Sequence, residues 1–494
     1  MARTSADVAI IGAGFGGSLT ALLAARIGLR PVLIERGTHP RFAIGESSTP
    51  LGDLVLAELA DRYDLPRLKP LAKYGPWRRA YPNLPCGLKR GFSYFHHHAD
   101  QRFAPRDDHA NELLVTASPD DEHADTHWLR ANFDAFLVGE VQSAGIPYYD
   151  RTVLARIEPG EVWRLEARRD GESVEIDARF VVDATGGAGV LWSELRIEND
   201  VRSILTNSRA IYAHFTDVVP WSETYASLGG RIEDHPFPCH AAALHHVFDG
   251  GWMYVLPFDN GVTSAGFLLD NERNPLDLSV SPEHEWDLLS DRFPSIATQF
   301  AKATPLMPLI RTGRLQRRAS RMAGRNWAML PHAAGFLDPL HSTGNAHTLC
   351  GVERLISVLQ AGDGEWPAGL KRYEETTLQE VALLDKIIHG CYAGFARFDL
   401  MAAYSMFYFA GAHFSEHARR AGGLDPNAAF LNAHDRRFRN AVEHGHRSVC
   451  ALAAQADSSP DCIRDFENEV AGAIEPYNLA GLCDRGKRNM YDCF

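Results

Sequence analysis

The first thirty-seven residues constrain this chain more than any other stretch. Asp7 to Ile11 is a short apolar run of the kind that forms a buried parallel strand. Gly12-Ala13-Gly14-Phe15-Gly16-Gly17 follows at once, and Ser18 to Ile27 is an Ala- and Leu-rich helix stopped by Gly28. Pro31 to Ile34 is a second strand that ends on Glu35, with Arg36 after it. In such a strand–turn–helix–strand unit, Gly12 permits the tight turn and Gly14 lets the backbone approach a pyrophosphate. Gly17 lets the helix lie close to the strand. The helix N-terminus offers free N–H groups to an anion. Glu35 comes 18 residues after Gly17, at the strand tip, where a carboxylate can accept hydrogen bonds from a ribose. A lone glycine triplet is weak evidence. With the strand, the helix and the acid at their spacings, the pattern predicts a dinucleotide held by Gly12, Gly14, Phe15, Gly16, Gly17, Glu35 and Arg36.

The rest of the composition narrows the partners. With 494 residues the chain can hold two or three domains around a large core. Its 50 Lys and Arg against 63 Asp and Glu give a net charge of −13, a poor match for nucleic acid or an anionic membrane. No run approaches the ~18 apolar residues of a membrane span. The N-terminal Arg and apolar stretch could suggest a signal peptide. The fingerprint occupies that stretch and cleavage would destroy it, so a cytoplasmic location is expected. Eight cysteines (Cys86, Cys239, Cys350, Cys391, Cys450, Cys462, Cys483 and Cys493) are scattered without a CxxC pair, which suits reduced thiols and no zinc site. His96-His97-His98 point to alternating faces of a strand end and read as polar residues rather than metal ligands.

Along the chain, Thr49 and Pro50 fit the N-cap and first turn of a helix with Leu51, Leu54, Val55 and Leu59 on one face. The half of Cys86 to Phe95 after Gly91 reads as a strand. Trp128 to Gly145 reads as a helix with Asn132 as N-cap. Trp163, Leu165 and Ala167 alternate with charged residues, and Asp170-Gly171 turns the chain into Val174, Ile176 and Ala178, a hairpin. Phe180-Val181-Val182 is a second core strand, ending at Asp183-Ala184-Thr185-Gly186-Gly187. Residues 203–270 are strand-rich, with Trp252 to Pro257 and Val262 to Leu268 flanking a turn at Asp259-Asn260-Gly261. Asn326 to Leu330 returns to the first layer. It leads through Gly335 to Gly344 into a helix with Leu349, Val352, Leu355, Ile356 and Leu359 inward. From about 367 onward the chain is mostly helical. Its aromatic stripe (Phe395, Phe398, Tyr404, Phe407, Tyr408, Phe409 and Phe414) suits helix core, or one wall of an aromatic substrate pocket.

These pieces together resemble the flavin-dependent halogenases, and within them the phenolic branch. The carriers are the fingerprint, His39-Pro40-Arg41-Phe42 with Gly45-Glu46, Cys86 to Ser93, Gly251-Trp252-Met253-Tyr254-Val255-Leu256-Pro257, and Gly335 to Gly344. The resemblance implies an α/β fold: an FAD-binding Rossmann-like domain of the glutathione-reductase type, an inserted β-sheet substrate domain and a helical C-terminal region. We place the FAD domain at 1–200 and 310–365, the substrate domain at 201–309 and the helical region at 366–494.

The resemblance further implies that reduced FAD reacts with oxygen and that chloride or bromide beside Thr343 and Gly344 becomes hypohalous acid. Ser47, Arg130, Asp338 and Asn345 would lie at the FAD. Lys89 would receive the oxidant at the far end of a tunnel lined by Trp252 and Ser342 and direct it at an aromatic small molecule. A lysine between a Gly-rich loop and an apolar strand can be partly buried, which lowers its pKa. Lys73, with similar K-x-G spacing, lacks the following strand.

The chain departs from the family's patterns at several positions. Tyr254 and Leu256 replace Trp and Ile of the W-x-W-x-I-P motif. His341 stands where tryptophan halogenases carry Glu, which argues against tryptophan and toward a phenol. An imidazole there can deprotonate a phenol or simply line the site. Leu330-Pro331-His332 replaces a Gly-Asp pair common in related monooxygenases. With no second nucleotide fingerprint, a separate flavin reductase is expected to supply FADH2. The competing reading is a flavin-dependent aromatic hydroxylase of the same fold.

Overall fold

The computed structural model describes residues 3–422, 428–455 and 459–492. The first sheet is built around β1 (Arg3–Ile11), which runs parallel to β2 (Pro31–Ile34) on one side and to a later strand, Glu172–Asp183, on the other. Between β1 and β2 runs α1 (Phe15–Arg26). Ile11 is level with both Ile34 and Asp183, so Gly12, Glu35 and Ala184 gather at one C-terminal sheet edge. That edge is where ligands bind in open parallel sheets. The apolar strand Trp327–Met329 extends the same sheet beyond Asp183, as its sequence led us to expect. The predicted hairpin also forms, with Val174, Ile176 and Ala178 opposite Ala167, Leu165 and Trp163.

The second sheet has nine strands. Its centre is a meander of Ala243–Phe248, Gly251–Pro257 and Thr263–Asp270, with Ser208–Thr216 antiparallel to the last of these. It also takes in two strands of the N-terminal part, Gly91–His97 and Glu112–Thr116, and Met490–Tyr491 near the other end of the chain. The single boundary expected at 200 therefore does not follow the sheets. Gly91–His97 is buried on both faces, and it satisfies its backbone by pairing between Ala243–Phe248 and Glu112–Thr116.

Helices fill the remaining faces. α2 (Pro50–Arg62) starts at Thr49, whose side chain accepts from the Gly52 N–H. α3 (Arg130–Ser143) begins two residues before the expected N-cap, so Asn132 lies inside its first turn. The reason is local: Trp128 stacks on Phe133 at 4.3 Å, and Arg130 pairs with Asp134 one turn on. α4 (Thr343–Gln360) packs on α1 and α2. α5 (Trp366–Gly394), α6 (Phe398–Gly422), α7 (Arg436–Ala453) and α8 (Pro460–Ile474) form the helical region. Among the described residues no helix is long and apolar enough to cross a membrane. Seven cysteines are free thiols there, and Cys493 lies outside the described residues.

Candidate active site

The fingerprint glycines divide into two kinds. Gly12 has φ +101°, and a Cβ on Gly17 would lie 1.9 Å from the Gly12 carbonyl oxygen, so both are demanded by the fold itself. Gly14 differs: a Cβ there would meet only Arg130 Nη2 at 3.5 Å and Asp134 Oδ2 at 3.7 Å, ordinary contacts. Room at Gly14 is therefore not required by protein packing. Glu35 accepts the Ala13 N–H at 3.0 Å, the Gly37 N–H at 2.9 Å and Arg41 Nη2 at 3.1 Å. Burial penalises its charge, but those donors outweigh the penalty and hold the carboxyl below its usual range. Phe15 is buried beneath the Arg130 guanidinium at 4.7 Å, whereas Arg36 is exposed. His332, which sequence reasoning noted only as a departure, stacks on Phe15 and its Nε2 lies 3.2 Å from the Ala184 oxygen.

Two cavities flank one short segment, Glu46 to Pro50. The smaller, about 170 Å³, is lined by Glu46, Ser47, Trp252, Tyr254, Asp338, Ser342, Gly344 and Asn345 among others. The larger, about 530 Å³, is walled by Thr49 and Pro50, by Phe92, and by Tyr408 and Phe409 of α6. Of the aromatic stripe, those two line the large cavity, while Phe395, Phe398, Tyr404 and Phe407 are buried in the core.

The small cavity has the marks of a flavin and halide site. Ser47 Oγ is buried without a partner in the protein. Asn345 Nδ2 donates to the Ser47 carbonyl at 3.3 Å. Arg130 Nη1 holds the Ile44 and Gly45 carbonyls at 3.0 and 3.2 Å. His341 and Ser342, at φ +63° and +57°, turn the chain sharply into α4. The first-turn N–H groups of that helix, at Thr343 and Gly344, have no intrahelical acceptor, and nothing lies within 4 Å of a Cβ placed on Gly344. Residues of this kind, with an orphaned hydroxyl, fit an isoalloxazine edge and an anion beside it. Trp252 Nε1 donates to the Tyr392 hydroxyl at 3.1 Å, and that hydroxyl donates to Asp338 Oδ2 at 2.8 Å. Ser208 reaches the same oxygen at 2.6 Å. Asp338 thus braces the Trp252 wall, and burial raises its pKa despite these donors.

Lys89 lines neither cavity, but its hydrogen-bond acceptor sits between them. Its ammonium donates to the Ser48 carbonyl, and Ser47 and Thr49 on either side line one cavity each. The side chain is fully buried, with Nζ 4.1 Å above the centre of the Phe92 ring. Burial pushes its pKa down to about 8, against the attraction of Asp125 and Asp53. Lys73 is a different group. Its Nζ binds Asp125 at 2.8 Å and Asp53 at 3.5 Å, and these acids overcome burial to raise its pKa. Asp125 stands directly across the strand pair from Lys89, and Asp53 accepts from the Ser48 hydroxyl. Neither acid was singled out from sequence.

His341 does not sit as a base for a substrate would. It is fully buried, lines neither cavity and stacks on Tyr408 at 4.5 Å. Tyr94 Oη occupies Nδ1 at 2.8 Å and Cys391 Sγ lies 3.5 Å from Nε2. Burial keeps it neutral by pushing its pKa well below the ordinary value. Of the two expectations for it, substrate base or lining residue, the structure supports neither: it lines neither cavity and both nitrogens are turned into the protein. His96 and His97 are likewise buried. His96 Nε2 faces the Phe395 carbonyl at 3.0 Å, and His97 pairs with His246 at 2.9 Å, on opposite faces of their strand.

Comparison with known proteins identifies the family. The profile of the tryptophan halogenase family matches residues 96–400, more than half of the chain. The chain belongs to that family and is a flavin-dependent halogenase, an enzyme that uses FAD and a halide. It is 29% identical over 418 residues to the monodechloroaminopyrrolnitrin halogenase PrnC of Pseudomonas fluorescens, covering 82% of this chain and 71% of that protein. It is also 29% identical over 414 residues to the tetracycline 7-halogenase of Kitasatospora aureofaciens, covering 80% and 71%. Among solved structures, the halogenase PltM in complex with phloroglucinol and FAD superposes with a TM-score of 0.87 at 22% identity. That match covers 98% of this chain and 99% of the other, and it shows a shared fold.

Proposed function

We propose that this enzyme halogenates an electron-rich, phenolic small molecule, using FADH2 from a separate flavin reductase, oxygen, and chloride or bromide. The observation that carries the reading is the position of Lys89, a buried amine whose hydrogen-bond acceptor lies between the two cavities. Reduced FAD, when bound, supplies with oxygen the oxidant that converts halide to hypohalous acid. Gly12, Gly14, Phe15, Gly16, Gly17 and Glu35 would hold its dinucleotide part, with Arg36 at the exposed edge. Ser47, Arg130, Asp338 and Asn345 would frame the flavin end, and the Thr343 and Gly344 amides would hold the halide. Trp252 and Ser342 line the wall that keeps substrate from the flavin.

Lys89 is suited to receive hypohalous acid because its amine is held in a fixed place and stripped of water. Desolvation makes the neutral, nucleophilic form accessible near neutral pH. As the ammonium it can donate a hydrogen bond to the oxidant, and as the amine it can carry the halogen. Phe92, Tyr408 and Phe409 offer the large cavity an apolar, aromatic lining for a ring. A phenol needs no extra activation, which suits a site in which His341 is turned away from the cavity. We assign His341 a positioning role, tying Tyr94 to the Tyr408 wall. The phloroglucinol named with the PltM structure is a phenol, which favours this substrate class.

The test is incubation of the protein with a flavin reductase, NADH, FAD, chloride or bromide and a panel of phenols. Products carrying the halogen isotope pattern are expected. Hydroxylated products without halide dependence would overturn the reading.

A further inference from the structure

Away from both cavities, three metal-type side chains converge where α5 meets α7. His389 comes from α5, and His446 and Cys450 lie one turn apart on the same face of α7. His389 Nδ1 is 2.9 Å from His446 Nε2, and Cys450 Sγ is 3.9 Å from the first and 3.7 Å from the second. The circle through three points so spaced has a radius of about 2.1 Å. That is the length of a zinc–imidazole bond and slightly less than a zinc–thiolate bond. An ion at its centre would meet all three donors with shifts of only a few tenths of an ångström.

Burial keeps both imidazoles neutral, as ligation requires, and acidic side chains stand nearby. Asp385, Asp270 and Glu272 act on His389 electrostatically, and Glu443 acts on His446; Lys386 opposes, but it is itself paired with Glu443. All three donors are half-buried, so a fourth position can be filled from solvent. A hydrogen bond between the two imidazoles accounts for their approach alone. It does not account for a thiol of α7 brought within 4 Å of the His389 nitrogen on α5.

We propose that His389, His446 and Cys450 form a binding site for a thiophilic transition-metal ion, zinc(II) or copper(I), separate from the halogenation chemistry. On binding, the Cys450 thiol releases its proton to solvent and both histidines coordinate through neutral nitrogens. Such an ion would clamp α5 to α7. Three residues beyond His389, α5 carries Tyr392, the hydroxyl that braces Asp338 and Trp252.

The test uses the full-length protein, stripped with a chelator and dialysed against zinc(II), or titrated with cobalt(II) as a spectroscopic stand-in. One zinc per chain and a thiolate-to-cobalt absorption band are expected. Cys450→Ser should abolish the band, and His446→Gln should weaken zinc binding by about a hundredfold or more. Cys462→Ser, at an exposed thiol elsewhere, should change neither. Circular dichroism and FAD binding of each variant show that it is folded. Absence of stoichiometric zinc binding by the folded wild type, together with no binding of copper(I) in a parallel anaerobic titration, overturns the site. So does a cobalt band that survives Cys450→Ser or disappears with Cys462→Ser.

Discussion

Burying Lys89 should leave a pH signature in stability, and its size follows from the structure. The ordinary lysine pKa of 10.5 falls to about 8 in the fully buried site. Holding the charged form there therefore costs about 3 kcal/mol relative to the unfolded chain, at 1.36 kcal/mol per unit. Between the two values the unfolded state binds more protons than the folded state. Stability from this group therefore rises with pH from about 8 to about 10.5, and below 8 the whole penalty is present. Lys89→Met removes the titration while keeping a long apolar side chain. Losing the bond to the Ser48 carbonyl shifts all values by a constant. The difference in unfolding free energy, wild type minus variant, should increase by about 2 kcal/mol between pH 7 and 9.5. Urea unfolding of both proteins across that range measures it. A difference that stays flat, or falls with pH, would refute the claim that Lys89 is a desolvated amine.

Other perturbations separate fold from cofactor. Gly14→Val should no longer retain FAD, because a side chain there would occupy the path of the pyrophosphate; Gly14→Ala, whose Cβ makes only ordinary contacts with the protein, should fold and show the same loss more mildly. Gly17→Ala should fail to fold, its Cβ meeting the Gly12 oxygen; soluble Gly17→Ala with normal FAD binding would contradict the packing. In the dark, NADH alone should leave bound FAD oxidised, and rapid bleaching of the flavin absorbance would argue for a resident nicotinamide site. Glu380, buried with Arg354 at 2.7 Å and His347 at 2.9 Å, overcomes its burial through these partners and is held down to about 2. Its contribution should be complete above about pH 4.5 and be lost as pH falls toward 2. Arg354→Met, by stranding that charge, should cost about 3–5 kcal/mol in denaturant unfolding.

Much of the first layer is legible in the chain because its signals are local. The fingerprint, the hairpin at Asp170-Gly171 and the Thr49 cap each depend on residues within a few positions of one another. The sheet that takes in Gly91–His97 is not legible locally, because a strand buried on both faces carries no mark of which sheet will bury it. Lys89 could be picked out by its apolar neighbours and by resemblance, but its environment could not. Asp125 comes opposite it only through the register of two strands 36 residues apart, and Asp53 arrives from a helix. Trp128 and Phe133 start α3 at Arg130, a stacking preference that outweighs the capping tendency of Asn132. The polar partners of His341 come from 247 and 50 residues away, so its enclosure was beyond any reading of its neighbours.

The most direct test of the central claim compares two readouts in Lys89→Ala. On the proposed function, flavin reoxidation and oxygen consumption would occur at the small cavity, and halogen transfer to the arene at the large one. Wild type and variant are supplied with a flavin reductase, NADH, FAD, bromide and an accepted phenol, and oxygen uptake and brominated product are followed together. Lys89→Ala should consume oxygen at close to the wild-type rate and yield no enzyme-dependent brominated product. Lys89→Arg, charged but poorly nucleophilic, should behave the same way. Undiminished bromination by Lys89→Ala would contradict the assignment of Lys89 as the residue that carries the oxidant to the substrate.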